Sequence, residues 1–276
     1  MRDYILSAFA DEASQSIAGQ IKAMRENEVS ALEIRSVEGK NVSALDKSEL
    51  ERISAALSES GISVFSIGSP VGKSGITDDF SKEIERFKRV LYAAEVLNAR
   101  CIRLFSFYGV DSEGKKDEAL YRISEFVRVS SGYNVTLCHE NEKGIFGDNE
   151  DNCLEIHRAF PSVKAVFDPA NYIQCGRDTK VAWEKIAPYT EYIHVKDALS
   201  DGSIVPAGVG IGNLEFIADD FLSRGGRVFS LEPHLRVFET LSQLQSEELK
   251  FAYTYQSAEE AFKASADAFK AILQKL

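Results

Sequence analysis

Residues 163–197 read VKAVFDPANYIQCGRDTKVAWEKIAPYTEYIHVKD. An apolar, β-branched run at 163–168 is followed by a polar link at 169–178 and a segment of helical period at 179–188. A second apolar run at 191–197 comes after only two further residues. Strand, long link, helix, short link, strand is the repeating unit of a parallel sheet.

The same unit extends in both directions. Strands are predicted near 3–8, 31–35, 62–67, 100–105, 134–140, 163–168, 191–197 and 227–232. Helices are predicted near 14–27, 47–60, 80–98, 115–130, 149–159, 179–188, 213–224 and 258–275. Asp46 with Glu49 and Ser257 with Glu260 have capping-box spacing. Gly61, Gly132 and Gly225 stand just past helices, where a left-handed residue is wanted. Eight units at a pitch of about 30 residues, with no polar linker, favour one closed (β/α)₈ barrel, α/β in class, as a single domain over 1–276. A doubly wound open sheet would carry a glycine-rich turn after its first strand. Here that turn reads AFADEAS (8–14), with no glycine.

Composition agrees with a globular fold. The 276 residues are 44% hydrophobic, enough for a large core, and no run of about 18 apolar residues offers a membrane span. The N-terminus lacks the apolar core of a signal peptide, so a cytoplasmic location is expected. Net charge is −11, and no run of Lys and Arg marks a basic groove, which argues against nucleic acid and anionic lipid as partners. Cys101, Cys138, Cys153 and Cys175 form no CxxC pair and read as reduced thiols filling space.

The links are asymmetric. Those after strands run to about ten residues (36–46, 68–79, 106–114, 141–148, 169–178, 198–212), whereas those after helices are short. In a barrel the long links all emerge on one face, the face that carries active sites. The connection 233–257, with a helical stretch near 241–250, reads as an interface element or padding. PAGVGIG (206–212) has neither GK[ST] nor a Rossmann pattern nearby and reads as a flexible loop.

Four successive strands end in ligand chemistry: Glu140, Asp168, His194 and Glu232. A carboxylate at a strand end is ordinarily the N-cap of the next helix. Capping does not explain a histidine and three acids on four neighbouring strands. Three carboxylates in one pocket repel unless a cation joins them. Three oxygens and one nitrogen suit Mn²⁺ or Mg²⁺, with Zn²⁺ or Co²⁺ as other possibilities. Strand alternation puts Tyr192, His194 and Lys196 on one face, making Lys196 a ligand-side or substrate-contacting cation and Asp197 a structural residue. Cys138 lies deeper in the barrel than Glu140, and His139 points the other way. Arg35 and Arg103 suit either a salt bridge or a substrate oxygen, and His234 is a further site candidate. Phe105, Phe107, Tyr108 and Trp183 read as core or rim, and His157 as a surface residue of the fifth helix.

ALEIR, LCHENEKGIFGD, FDPANY, YIHVKDA, PAGVGIG and LEPHL, in that order, resemble the xylose isomerase-like TIM barrel superfamily. Within it they look like the sugar phosphate isomerase/epimerase members, with similarity to ketose 3-epimerases. The resemblance runs from about residue 5 to 275. It implies one divalent metal held by Glu140, Asp168, His194 and Glu232. It also implies that Glu140 and Glu232 move a proton on opposite faces of a ketose or related sugar, through an enediolate. Arg35, Arg103, Lys196 and His234 are then the expected substrate contacts. Asn171 stands where many relatives have a histidine, removing one polar contact, and Gly208-Val209-Gly210 lacks a carboxylate often found in that loop.

Two other activities fit the same residues: a lyase or dehydratase acting on a sugar acid or 3-keto sugar, and a non-catalytic sugar-binding barrel. The related DNA-repair nuclease endonuclease IV gathers three zinc ions with many histidines, and four histidines here do not supply that set. The expected partner is a small sugar, unphosphorylated for want of a clear phosphate nest. A homo-oligomer is compatible with the sequence.

Overall fold

The computed structural model describes residues 3–236 and 252–276. Eight parallel strands close into one barrel: β1 (Ile5–Ala8), β2 (Ala31–Ile34), β3 (Ser63–Ile67) and β4 (Cys101–Leu104), then β5 (Thr136–Glu140), β6 (Lys164–Phe167), β7 (Thr190–Val195) and β8 (Val228–Leu231). Each pairs with its neighbour in chain order, and β8 returns to β1 with Ile5 opposite Val228 and Ala8 opposite Leu231. The expected (β/α)₈ barrel is therefore the observed one.

Strand alternation builds two cores. Side chains pointing outward, such as Leu32, Ile102, Leu137, Phe167, Ile193 and Phe229, join the apolar stripes of the surrounding helices. Side chains pointing inward form a separate layer of Ala31, Phe65, Cys101, Cys138, Val166, Tyr192 and Val228. One alternation step beyond this layer, toward the strand C-termini, stand Glu33, Arg103, Glu140, Asp168, His194 and Ser230. The chemical layer thus rests on a packed apolar floor.

The helices are α1 (Ile17–Glu26), α2 (Lys47–Ser60), α3 (Phe80–Val96), α4 (Glu113–Ser130), α5 (Glu150–Ala159), α6 (Pro169–Gln174), α7 (Thr179–Ile186), α8 (Leu214–Ser223) and α9 (Ala258–Leu273). Asp46 and Glu49 close a full capping box on α2. At α9, Ser257 accepts from the Glu260 backbone, but the Glu260 carboxylate reaches Gln256 N at 2.7 Å instead of Ser257, so only half of the expected box forms. Gly61 and Gly225 take left-handed backbone at φ 71° and 91°, whereas Gly132 does not.

Three sequence expectations are corrected. Residues 169–178 are not all loop: Asp168 caps α6 by accepting from Asn171 N at 2.9 Å, and Pro169 fits its first turn. His157 is not on the surface. It is 1% exposed, donates from Nδ1 to Val163 O at 3.1 Å and stacks on Tyr189. PAGVGIG is not a free loop: Asp197 accepts backbone N–H bonds from Gly208, Gly210 and Gly212 at 2.8–3.0 Å, and from Ala198 as well. A side chain at Gly210 would place its Cβ 2.3 Å from both Ala198 O and Asp197 Oδ1, so glycine is required there. The helical stretch expected near 241–250 lies outside the described residues.

Candidate metal centre

At the C-terminal mouth, β5, β6, β7 and β8 deliver Glu140, Asp168, His194 and Glu232 to one point. One donor atom from each lies within 4.8 Å of all the others. All four residues are buried at 3% exposure or less. His194 Nδ1 lies 3.1 Å from Glu140 Oε1, 3.4 Å from Glu232 Oε2 and 3.7 Å from Asp168 Oδ2. Its other nitrogen, Nε2, lies 3.1 Å from Glu33 Oε2. An ionised carboxylate only accepts, so Nε2 donates, and a ligating Nδ1 lone pair would face the three acids.

Glu33 was not among the residues singled out from the sequence. It is fully buried on β2, and its Oε1 accepts from Tyr192 OH at 2.7 Å. Burial opposes its charge, but His194 and Arg103 outweigh that and hold its pKa below the ordinary carboxylate value. The signal was available: alternation places Glu33 on the same face as Arg35.

Buried cations surround the acids. Arg103 Nη1 is 3.1 Å from Glu140 Oε2, and its guanidinium packs against Phe9 and Phe105. Arg35 grips Asp11 through two hydrogen bonds of 2.9 and 3.0 Å, reaches Glu12 at 3.1 Å, and contacts Glu232 Oε1 at 3.3 Å. Lys196 Nζ lies 2.7 Å from Asp168 Oδ2 and 2.9 Å from Glu232 Oε2. His234, with left-handed backbone at φ 44°, donates its N–H to Glu12 Oε2 at 2.7 Å, and its ring nitrogen is 3.7 Å from Glu232 Oε1. Burial drives the pKa of Glu12 up to about 8, against the pull of Arg35.

The donor set fits a hard divalent ion. Burial raises the pKa of Asp168 against the pull of Lys196, and the neighbouring charges of Glu232 and Glu140 add to the rise. Burial works against the charge of His194, yet Glu140, Glu33 and Glu232 together hold its pKa well above the ordinary value. The Asp168 shift is led by burial and the His194 shift by the three acids around it, and a divalent cation among the four would favour the ionised carboxylates. No thiol competes: Cys138 lies in the apolar layer beneath. A second group, Glu12, Glu232 and His234, has similar spacing, but Arg35 already bridges two of its acids.

Asn171 turns its side-chain amide toward the cluster. Its Nδ2 donates to Glu140 Oε1 at 3.1 Å and to Asn141 O at 2.9 Å. Asp168 serves both of the roles open to a strand-end acid, since Oδ1 caps α6 and Oδ2 faces the cluster. His139 turns away to Ser106, with 3.0 Å between His139 Nε2 and Ser106 Oγ, and Asp197 is the loop anchor described above. Phe105, Phe107 and Trp183 are core, while Tyr108 is half-buried.

Above the cluster opens a small cleft lined by six residues singled out from the sequence, Arg35, Arg103, Lys196, His234, Glu140 and Glu232, and by two that were not, Lys73 and Glu142. Those two pair at 2.6 Å, and Lys73 lies over the Phe105 ring. Both come from links after strands, whose course no periodicity records.

The chain belongs to the xylose isomerase-like TIM barrel family, whose family model matches residues 21–272. Among solved structures it is similar to AsbF of Bacillus anthracis, a probable 3-DHS dehydratase, at 18% identity and TM-score 0.74 over 97% of this chain and 98% of that one. It is also similar to a xylose isomerase-like TIM barrel protein of Mycobacterium smegmatis in complex with magnesium, at 16% identity and TM-score 0.71 over 98% and 95% of the two chains. L-ribulose 3-epimerase matches at 15% identity and TM-score 0.76 over 99% and 95%. At these identities the likeness is one of fold. No functionally curated protein sequence matches the chain. No helix among the described residues is long and apolar enough to cross a membrane.

Proposed function

We propose that the chain is a divalent-metal-dependent sugar isomerase or epimerase that moves a proton at a carbon next to a carbonyl. The observation that carries this reading is the pairing of Glu140 and Glu232. Each turns one carboxylate oxygen toward His194 Nδ1 and the other toward a guanidinium at the cleft. Glu140, Asp168, His194 and Glu232 would hold the ion, Mn²⁺ or Mg²⁺ by donor type. When bound, that ion acidifies the C–H beside the carbonyl and neutralises the enediolate. Glu140 takes the proton from the carbon, and Glu232, three strands further round the barrel, returns one from the other face. Arg103 and Arg35 fix the directions of these two carboxylates, and exchange with solvent through the cleft between turnovers supplies the proton Glu232 returns and removes the one Glu140 takes. Arg35, Arg103, Lys196 and His234 contact the oxygens of the substrate.

A second reading, a dehydratase or lyase acting on a sugar acid or 3-keto sugar, is supported by the cleft itself. Four cationic side chains (Arg35, Lys73, Arg103 and Lys196) line it against three carboxylates (Glu140, Glu142 and Glu232), an excess of one positive charge that suits a substrate with one negative charge. The first step is shared, and the outcomes differ.

The test is incubation with Mn²⁺ in D₂O of a panel of ketoses, keto-glycosides, sugar acids and their phosphates. Deuterium beside the carbonyl of recovered sugar supports the isomerase reading, and loss of water or an aglycone supports the second. Glu140→Gln and Glu232→Gln are each expected to slow exchange at least ~100-fold. Full exchange in both variants contradicts the two-carboxylate account.

A further inference from the structure

Lys196 holds a position that a counter-cation would take. Its side chain is buried, and its Nζ sits 2.7 Å from Asp168 Oδ2 and 2.9 Å from Glu232 Oε2. These same two oxygens also face His194 Nδ1, at 3.7 and 3.4 Å, behind Glu140 Oε1 at 3.1 Å. They are therefore two of the three oxygens best placed to bind an ion alongside that nitrogen.

An ammonium and a divalent ion cannot both use these oxygens cheaply. Metal–oxygen bonds to hard ions are about 2 Å long. With Nζ hydrogen-bonded to two ligating oxygens, the two cations would be forced to within about 5 Å of each other in a buried site. The carboxylates would also have to divide their charge between them. Lys196 also lines the cleft, as does Glu142, whose Oε2 Lys73 meets at 2.6 Å, so an ammonium driven off Asp168 and Glu232 would turn toward the cleft and that carboxylate.

We infer that Lys196 and the metal ion compete for Asp168 and Glu232, so that metal loading drives the ammonium off these two oxygens and into the cleft. Lys196 is then a positioning residue that links metal loading to the charge presented to substrate. The inference rests on the metal reading above and goes beyond it, since a lysine that merely orients the ligands from outside would act in the opposite sense. Support for ligating carboxylates ordinarily strengthens metal binding, and its removal weakens affinity roughly 10–100-fold.

The experiment is Mn²⁺ binding by titration calorimetry at pH 7.5 to the full chain and to Lys196→Met and Lys196→Gln, with proton release taken from a pair of buffers of different ionisation heat. Competition predicts that both variants bind Mn²⁺ at least tenfold more tightly, or release about one more proton per ion because a proton now stands in for the ammonium. Unchanged or weaker binding with unchanged proton release overturns the inference while leaving the metal reading intact. No Mn²⁺ binding to the unmodified chain overturns both. Lysine acetylation of the unmodified chain, followed by peptide mass mapping, covers the case of variants that fail to fold. Lys196 is expected to react faster with Mn²⁺ than with chelator, relative to exposed lysines such as Lys47, and equal or slower reaction overturns the inference.

Discussion

His194 is restrained at both ring nitrogens, by Glu33 behind it and by three acids in front. Sequence reading found the front of this arrangement because all four residues stand at strand ends, where the barrel itself brings them together. It missed the support behind, because a lone glutamate within a strand ordinarily reads as solvated. Here alternation alone turns Glu33 inward, two residues before Arg35. Lys73, Glu142, Asp11 and Glu12 were less legible still, since they reach the mouth on loops and turns. Glu33→Gln keeps an acceptor for His194 but removes the charge, and it is expected to weaken Mn²⁺ binding about tenfold, measured by equilibrium dialysis. Unchanged affinity would show that Glu33 only fills space.

Among the elements, the link after β7 shows how one residue fixes a loop. Asp197 gathers four backbone N–H groups from Ala198, Gly208, Gly210 and Gly212. Alternation identified Asp197 as structural, but glycine content suggested mobility, because spacing does not show that three glycine N–H groups face one carboxylate. Asp197→Ala leaves those donors without their acceptor and is expected to cost about 3 kcal/mol in urea unfolding. A change below about 0.5 kcal/mol would mean that water replaces the acid freely. Helix α5 carries a second buried device, His157, whose pKa burial lowers to about 4. The unfolded imidazole takes up its proton near its ordinary value of 6.5, before the folded one does. The contribution of His157 to stability is thus complete above that value and is lost as pH falls from 6.5 toward 4. Between pH 7 and pH 5 this amounts to about 2 kcal/mol. His157→Gln should flatten the acid side of a stability–pH profile by that amount, and an unaltered profile would contradict the assignment.

At the scale of the whole molecule, the barrel was legible because its evidence is global: eight similar units, short returns after helices and long links after strands. No single strand needed correct boundaries for that count to hold. One closed barrel should unfold in a single cooperative transition, and an ion that binds only the folded centre should raise its midpoint. At 100 times its Kd such an ion adds about 2.7 kcal/mol, or roughly 5 °C for a chain of this size. Matching melting curves in Mn²⁺ and in chelator would count against the centre. The charge of −11 is partly explained by the same feature, because several of the 43 acidic residues converge at the barrel mouth. The central claim is that four strand ends form one divalent-metal site. Elemental analysis of the purified chain after Mn²⁺ loading and desalting tests it most directly. One ion per chain, falling to near none in His194→Ala and Asp168→Ala variants that still fold, is the predicted result; metal content unchanged in both variants would contradict it.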